Sequence, residues 1–108
     1  MKISTKIQHY TLECICNLYD GVQENDTPTE IQLTKEYKSA ANILDLLMID
    51  LKKKLLSKSK SKKPFKLSLE YYQSYFLINF ISAHGSFFIG ILERTLLQQF
   101  TEKIHQQL

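Results

Sequence analysis

Apolar positions recur at helical spacing along most of this chain. At 100° per residue, Ile3, Ile7, Tyr10, Cys14 and Leu18 fall within one arc, with Leu12, Cys16 and Tyr19 on the opposite side. This pattern predicts a first helix from about Lys6 to Asp20. Thr5 and Gln8 stand at capping-box spacing, and Gly21 suits the position just past the helix end. The strongest local signal is Thr27-Pro28-Thr29-Glu30. Thr27 can cap, Pro28 fits the first helical position because its missing N–H is not needed there, and Glu30 closes the box. A second helix is predicted from there to about Leu56. Leu33, Tyr37, Ala40, Leu44, Leu47, Leu51 and Leu55 share its inner face, while Leu46, Ile49 and Leu56 lie on its back. At 1.5 Å per residue it would be about 40–45 Å long. A domain of this size is only about 35 Å across. The helix must project, bend or be covered by a second subunit, and its apolar back favours cover.

Ser57 to Lys63 reads Ser-Lys-Ser-Lys-Ser-Lys-Lys, with no apolar residue. A mobile basic loop at about residues 57–66 is expected, since nothing there can contribute to a core. Pro64 prevents helix continuation. Ser68 is the expected N-cap of a third helix, Leu69 to about His84. Its Leu69, Tyr72, Phe76, Phe80 and Ala83 form one face, and Tyr71, Tyr75, Leu77, Ile78 and Ile81 occupy most of the rest. His84-Gly85-Ser86 predicts a break, with Gly85 ending one helix and Ser86 capping the next. The fourth helix then spans about Phe87 to Gln107, with Ile89, Leu96, Leu97, Phe100 and Ile104 on its face. No convincing strand and no internal repeat are read.

The expected fold class is all-α: a four-helix bundle of two antiparallel helical hairpins joined by a Lys/Ser-rich loop, in one domain spanning residues 1–108. Composition agrees. Hydrophobic residues make up 44% and charged residues 23%, a globular balance, and three Gly and two Pro are too few for a turn-rich β fold. By surface scaling, about two-thirds of the chain's surface can be buried, so a core forms without staples. Two cysteines cannot build a disulfide framework, and no apolar leader follows the start, so the cytoplasm is the expected compartment.

The net charge of +3 conceals a segregation. Eight lysines fall between Lys52 and Lys66 with no acid among them, leaving six basic and eleven acidic residues elsewhere. Lys58, Lys60, Lys62 and Lys63 are the candidate phosphate-binding residues, and nucleic acid is the alternative partner. The segment offers neither an arginine fork nor an interleaved aromatic, so such binding would be non-specific and steeply salt-dependent. A solvated loop is the favoured reading. The uncharged run from Tyr71 to Leu92 is long enough to cross a bilayer. Its polar residues and the His84-Gly85-Ser86 break favour two helices of a packed core over a membrane anchor.

Eight of the twelve aromatics cluster between Phe65 and Phe88, more than three neighbouring helices can hide. Tyr71 and Tyr75 therefore join Leu46, Ile49 and Leu56 as candidate interface residues, with a homodimer or another protein as partner. Glu93 falls in the apolar arc of the fourth helix between Ile89 and Leu97. It is expected to make a structural hydrogen bond, with a tyrosine of the third helix or a lysine as partner. Cys14 and Cys16 lie about 200° apart around a helix and cannot jointly grip a metal. His9 and Glu13 share i,i+4 spacing but offer only two ligands. No nucleotide, hydrolase or zinc motif is present, and neither enzymatic activity nor a cofactor or small-molecule substrate is expected.

The run Glu93-Arg94-Thr95-Leu96-Leu97-Gln98-Gln99 with Lys103-Ile104-His105-Gln106-Gln107-Leu108, and the Lys-rich approach to Lys66-Leu67-Ser68-Leu69, resemble the ends of certain short uncharacterised all-helical bacterial proteins. These residues cover about a third of the chain and none of its first 50 residues. The resemblance implies a bacterial or mobile-element origin and an all-α fold, and no particular activity.

Overall fold

The computed structural model describes residues 2–25, 35–58, 63–88 and 90–108. The predicted Thr27–Glu30 cap, as well as Lys60 and Lys62, lie outside them. Strand β1 (Lys2–Ile7) leads into helix α1 (His9–Asn25), followed by α2 (Lys35–Ser57). Strand β2 (Phe65–Glu70) leads directly into α3 (Tyr71–Phe88), followed by α4 (Ile91–His105). The chain is mainly helical, as its periodicity indicates. However, the order strand–helix–helix occurs twice, an architectural repeat that residue similarity does not reveal.

The two strands correct the expectation of helices alone. β1 and β2 pair antiparallel, with Lys2 opposite Glu70, Ser4 opposite Ser68 and Ile7 opposite Phe65. Both alternate with period two. Ile3, Ile7, Leu67 and Leu69 are buried on the inner side, while Lys2, Lys6, Lys66 and Ser68 are exposed on the outer side. Ser68 is therefore not a helix cap. Its hydroxyl lies 3.0 Å from that of Ser4 across the ribbon. Leu69 belongs to the strand, and the expected basic loop stops short of Phe65. The capping of α3 falls to Gln73, whose side-chain oxygen accepts the Glu70 backbone N–H at 2.9 Å. This is one half of a capping box, and it lets strand pass to helix with no intervening loop. At the amino end, too, residues expected to begin a helix form a strand, and α1 starts at His9, where the Leu12 N–H donates to the Gln8 carbonyl.

Helix α1 packs against all three other helices. Both of its apolar arcs are consequently used: Leu12, Ile15, Leu18, Cys16 and Val22 are all buried. Gly21 lies inside this helix and not past its end. Leu47, Met48 and Leu51 of α2 and Leu97, Phe100 and Ile104 of α4 complete the core. In α3 the buried set is Ser74, Leu77, Ile78, Phe80 and Ile81. Tyr72 and Ala83, expected to face the core, are exposed. The Ser74 hydroxyl is satisfied by donating to the Glu70 carbonyl, and Tyr19 of α1 meets Phe80 of α3 at 5.7 Å between ring centroids.

The expected break at His84-Gly85-Ser86 is also displaced. α3 continues through Gly85 to Phe88, and α4 begins after Gly90. Gly90 has an extended backbone (φ −74°, ψ 178°), and a Cβ there would lie 2.6 Å from the Glu93 carboxylate, which folds back over it. At Gly85 an added Cβ would meet Ile81 Cγ2 at an ordinary 3.8 Å. Gly85→Ala is therefore expected to stabilise the protein by about 0.5–1 kcal/mol through helix propensity, read as a higher urea midpoint. A true helix terminus at Gly85 would reverse the sign. Among the described residues, no helix is long and apolar enough to cross a membrane.

Candidate interaction surface

On α2, the buried Leu47, Met48 and Leu51 and the half-buried Leu44 and Leu55 form the inner side. The opposite side carries Leu46, Ile49 and Leu56, which are 59%, 51% and 76% exposed. Asn42 and Lys53 are exposed in the same row. Isolated apolar residues on a surface are ordinary. Here they are aligned from Asn42 to Leu56 along a helix whose other side packs on the core.

Tyr71 and Tyr75 stand on α3, exposed together with Tyr72. No hydrogen bond or ring contact joins either of them to α2 among the described residues. Tyr75 makes an edge contact with Phe76 at 5.6 Å, and the Tyr71 hydroxyl lies 3.4 Å from the Leu108 carbonyl. The five candidate interface residues thus occupy two helices, and only the α2 row is continuous. Sequence reasoning passed over Ile91 and Leu92, which are exposed in the first turn of α4. Their signal was Gly90, the true helix start. It places both in the first turn, before the helix settles onto the core at Leu97.

Of the candidate phosphate-binding lysines, Lys58 and Lys63 are exposed. The ammonium groups of Lys58 and Lys54 lie 5.9 and 6.0 Å from the centroid of the Phe65 ring. That cation–π contact ties the end of α2 to the start of β2. Lys52, earlier in the basic run, pairs with Asp20 of α1 at 2.7 Å.

Glu93 is partly exposed and accepts a hydrogen bond from the Tyr10 hydroxyl at 2.7 Å. The partner comes from α1 and not from the third helix. This bond, followed by one from its own backbone N–H, holds the Glu93 carboxyl below its ordinary range. The same bond pushes the Tyr10 hydroxyl up to about 12. With the carboxylate folded over Gly90, the pair joins the amino end of α4 to α1, which is a structural role. Burial pushes the Cys16 thiol up to about 11 and raises that of Cys14 as well. Both are free and buried, so neither is an activated nucleophile.

His9 Nε2 lies 3.2 Å from the Leu55 carbonyl, and His84 packs against Phe80 at 5.1 Å. Among the described residues, no group of three or more His, Cys, Asp or Glu side chains could hold a metal ion. Between α3 and α4 lies a groove of about 600 Å³ with Ile81, Gly85, Arg94, Leu97, Thr101 and His105 among its lining. The Thr101 hydroxyl is buried there without a partner. The groove combines apolar walls with polar groups, Glu102 and His105 standing three residues apart on α4.

Comparison with protein-family models, with curated proteins and with solved structures finds no match.

Proposed function

We propose that this chain is a non-enzymatic helical interaction domain that self-associates through the outer side of α2 and acts as a scaffold. The reading rests on the exposed row Leu46, Ile49 and Leu56, set opposite a buried face on the same helix. Water contact on three large apolar side chains is a standing cost, since fully burying each one is worth about 1.5–3 kcal/mol. Interfaces are where aligned patches of this kind find cover. The two features that could have suggested other chemistry, the raised thiols and the low Glu93 carboxyl, are accounted for by burial and by the tie between α1 and α4.

Light scattering on the full chain tests the reading. The mass is expected to rise from 12.7 kDa towards twice that value as concentration enters the high micromolar range. Ile49→Lys is expected to weaken association about a hundredfold, because each copy loses one apolar anchor and gains a charge at the contact. A strict monomer, or a dimer indifferent to Ile49→Lys, would remove this function.

A further inference from the structure

Resting on that reading, we infer that the partner is a second copy lying antiparallel along α2, with the two-fold axis passing between Leu47 and Met48. Asn42, Leu46, Ile49, Lys53 and Leu56 follow one another at spacings of four and three, the seam of a two-helix coil. All five are exposed. Asp45 and Lys52 flank the seam on one side, and Asp50 and Ser57 flank it on the other.

Charge selects among the arrangements this seam allows. A parallel pair sets Lys53 against the partner's Lys53 and Asp45 beside the partner's Asp50, so like charges meet twice. Antiparallel registers differ by steps of one heptad. Shifting the axis to the level of Leu44 brings Asp45 onto the partner's Asp45, and shifting it to Leu51 brings Lys52 onto the partner's Lys52.

Of these three registers, only the intermediate one sets opposite charges together on this flank. It packs Leu46 on the partner's Ile49 and Ile49 on the partner's Leu46, and it sets Asn42 beside the partner's Lys53. It also brings Asp45 to the partner's Lys52. Among the described residues Asp45 has no ion pair, while Lys52 already holds Asp20, so each Lys52 would sit between two carboxylates. The Leu46–Ile49 layers are apolar and the Asn42–Lys53 layers polar, Leu56 lies level with the partner's Ser39, and the α2 helices overlap over about 30 Å.

Cross-linking tests the register. Asn42→Cys/Lys53→Cys places two thiols about 16 Å apart on one helix, too far to bridge within a chain. Under mild oxidation this double variant is expected to convert almost wholly to a covalent dimer, while Asn42→Cys and Lys53→Cys alone stay monomeric on a denaturing gel. The wild-type chain is the control for its buried native thiols. Asp45→Lys is expected to weaken the dimer about tenfold at low salt and less at high salt, since it sets lysine against lysine.

Efficient cross-linking of the single variants would show a parallel pair. Absence of cross-linking in the double variant, with association still sensitive to Ile49→Lys, would show another register. Either result overturns this geometry and leaves α2 as the interface, whereas a monomeric wild-type chain ends both.

Discussion

Oxidised Ser4→Cys/Ser68→Cys protein is expected to carry one cross-strand disulfide and to be about 4 kcal/mol more stable than its reduced form. The two hydroxyls face each other at 3.0 Å across a sequence separation of 64 residues, and closing so long a loop removes much of the entropy of the unfolded chain. The pair lies at a non-hydrogen-bonded position of the ribbon. The Ser4 carbonyl turns outward to accept the Gln107 side-chain amide at 3.0 Å, and the Glu70 N–H turns outward to Gln73. Opposed side chains at such positions are the closest in an antiparallel ladder. Urea unfolding of the oxidised and reduced forms measures the gain, and a free-thiol count of two confirms the bridge. A Thr5→Cys/Ser68→Cys control, with its thiols on opposite faces, should not bridge. If the control bridges and the Ser4 pair does not, the register is wrong.

Leu77→Ala is expected to cost about 2–5 kcal/mol, the range for emptying a fully enclosed leucine site. Leu77 is 0% exposed, on a helix in contact with α1, α2 and α4. Since small domains are stable by only about 5–15 kcal/mol, the variant should unfold at a much lower urea concentration. Tyr72→Ala on the same helix should stay within about 0.5 kcal/mol of the parent, because Tyr72 is 52% exposed. A reversal of the two effects would return α3 to the orientation its sequence suggested, with Tyr72 inward.

The contrast between α2 and α3 shows how much of the fold is legible without coordinates. In α2 the inner Leu44, Leu47, Leu51 and Leu55 recur at spacings of three and four with Asp45, Asp50, Lys52 and Lys53 off that face, so periodicity assigns the inner face and leaves Leu46, Ile49 and Leu56 outside. α4 is similar, with Leu97, Phe100 and Ile104 read correctly as core. α3 is apolar nearly all round, and local spacing cannot rank its faces. Its orientation depends on which neighbours arrive, and they place Leu77 inward and Tyr75 outward. α1 poses the same difficulty in another form: both of its arcs are buried because it lies among three helices.

The strands were visible as alternation, in Ile3, Thr5 and Ile7 among Lys2, Ser4 and Lys6 and in Phe65, Leu67 and Leu69 among Lys66, Ser68 and Glu70. Six residues of alternation also fit the edge of a helix, and Ser68 mimics a cap. A ribbon is stable only when its partner arrives, here from the far side of two helices, and no local signal reports that arrival. The Tyr10–Glu93 hydrogen bond is of the same kind. The sequence placed a carboxylate where it would need a partner, but the partner was 83 residues away.

What the chain determines by itself is the predominance of helix, the inner faces of α2 and α4, and an apolar row left on the back of α2. These follow from spacing along a single element, where neighbours in sequence are neighbours in space. Strand pairing, the orientation of α3, the position of the break at Gly90 and the partner of Glu93 were decided by tertiary structure, because each depends on groups that only the folded chain brings within bonding distance.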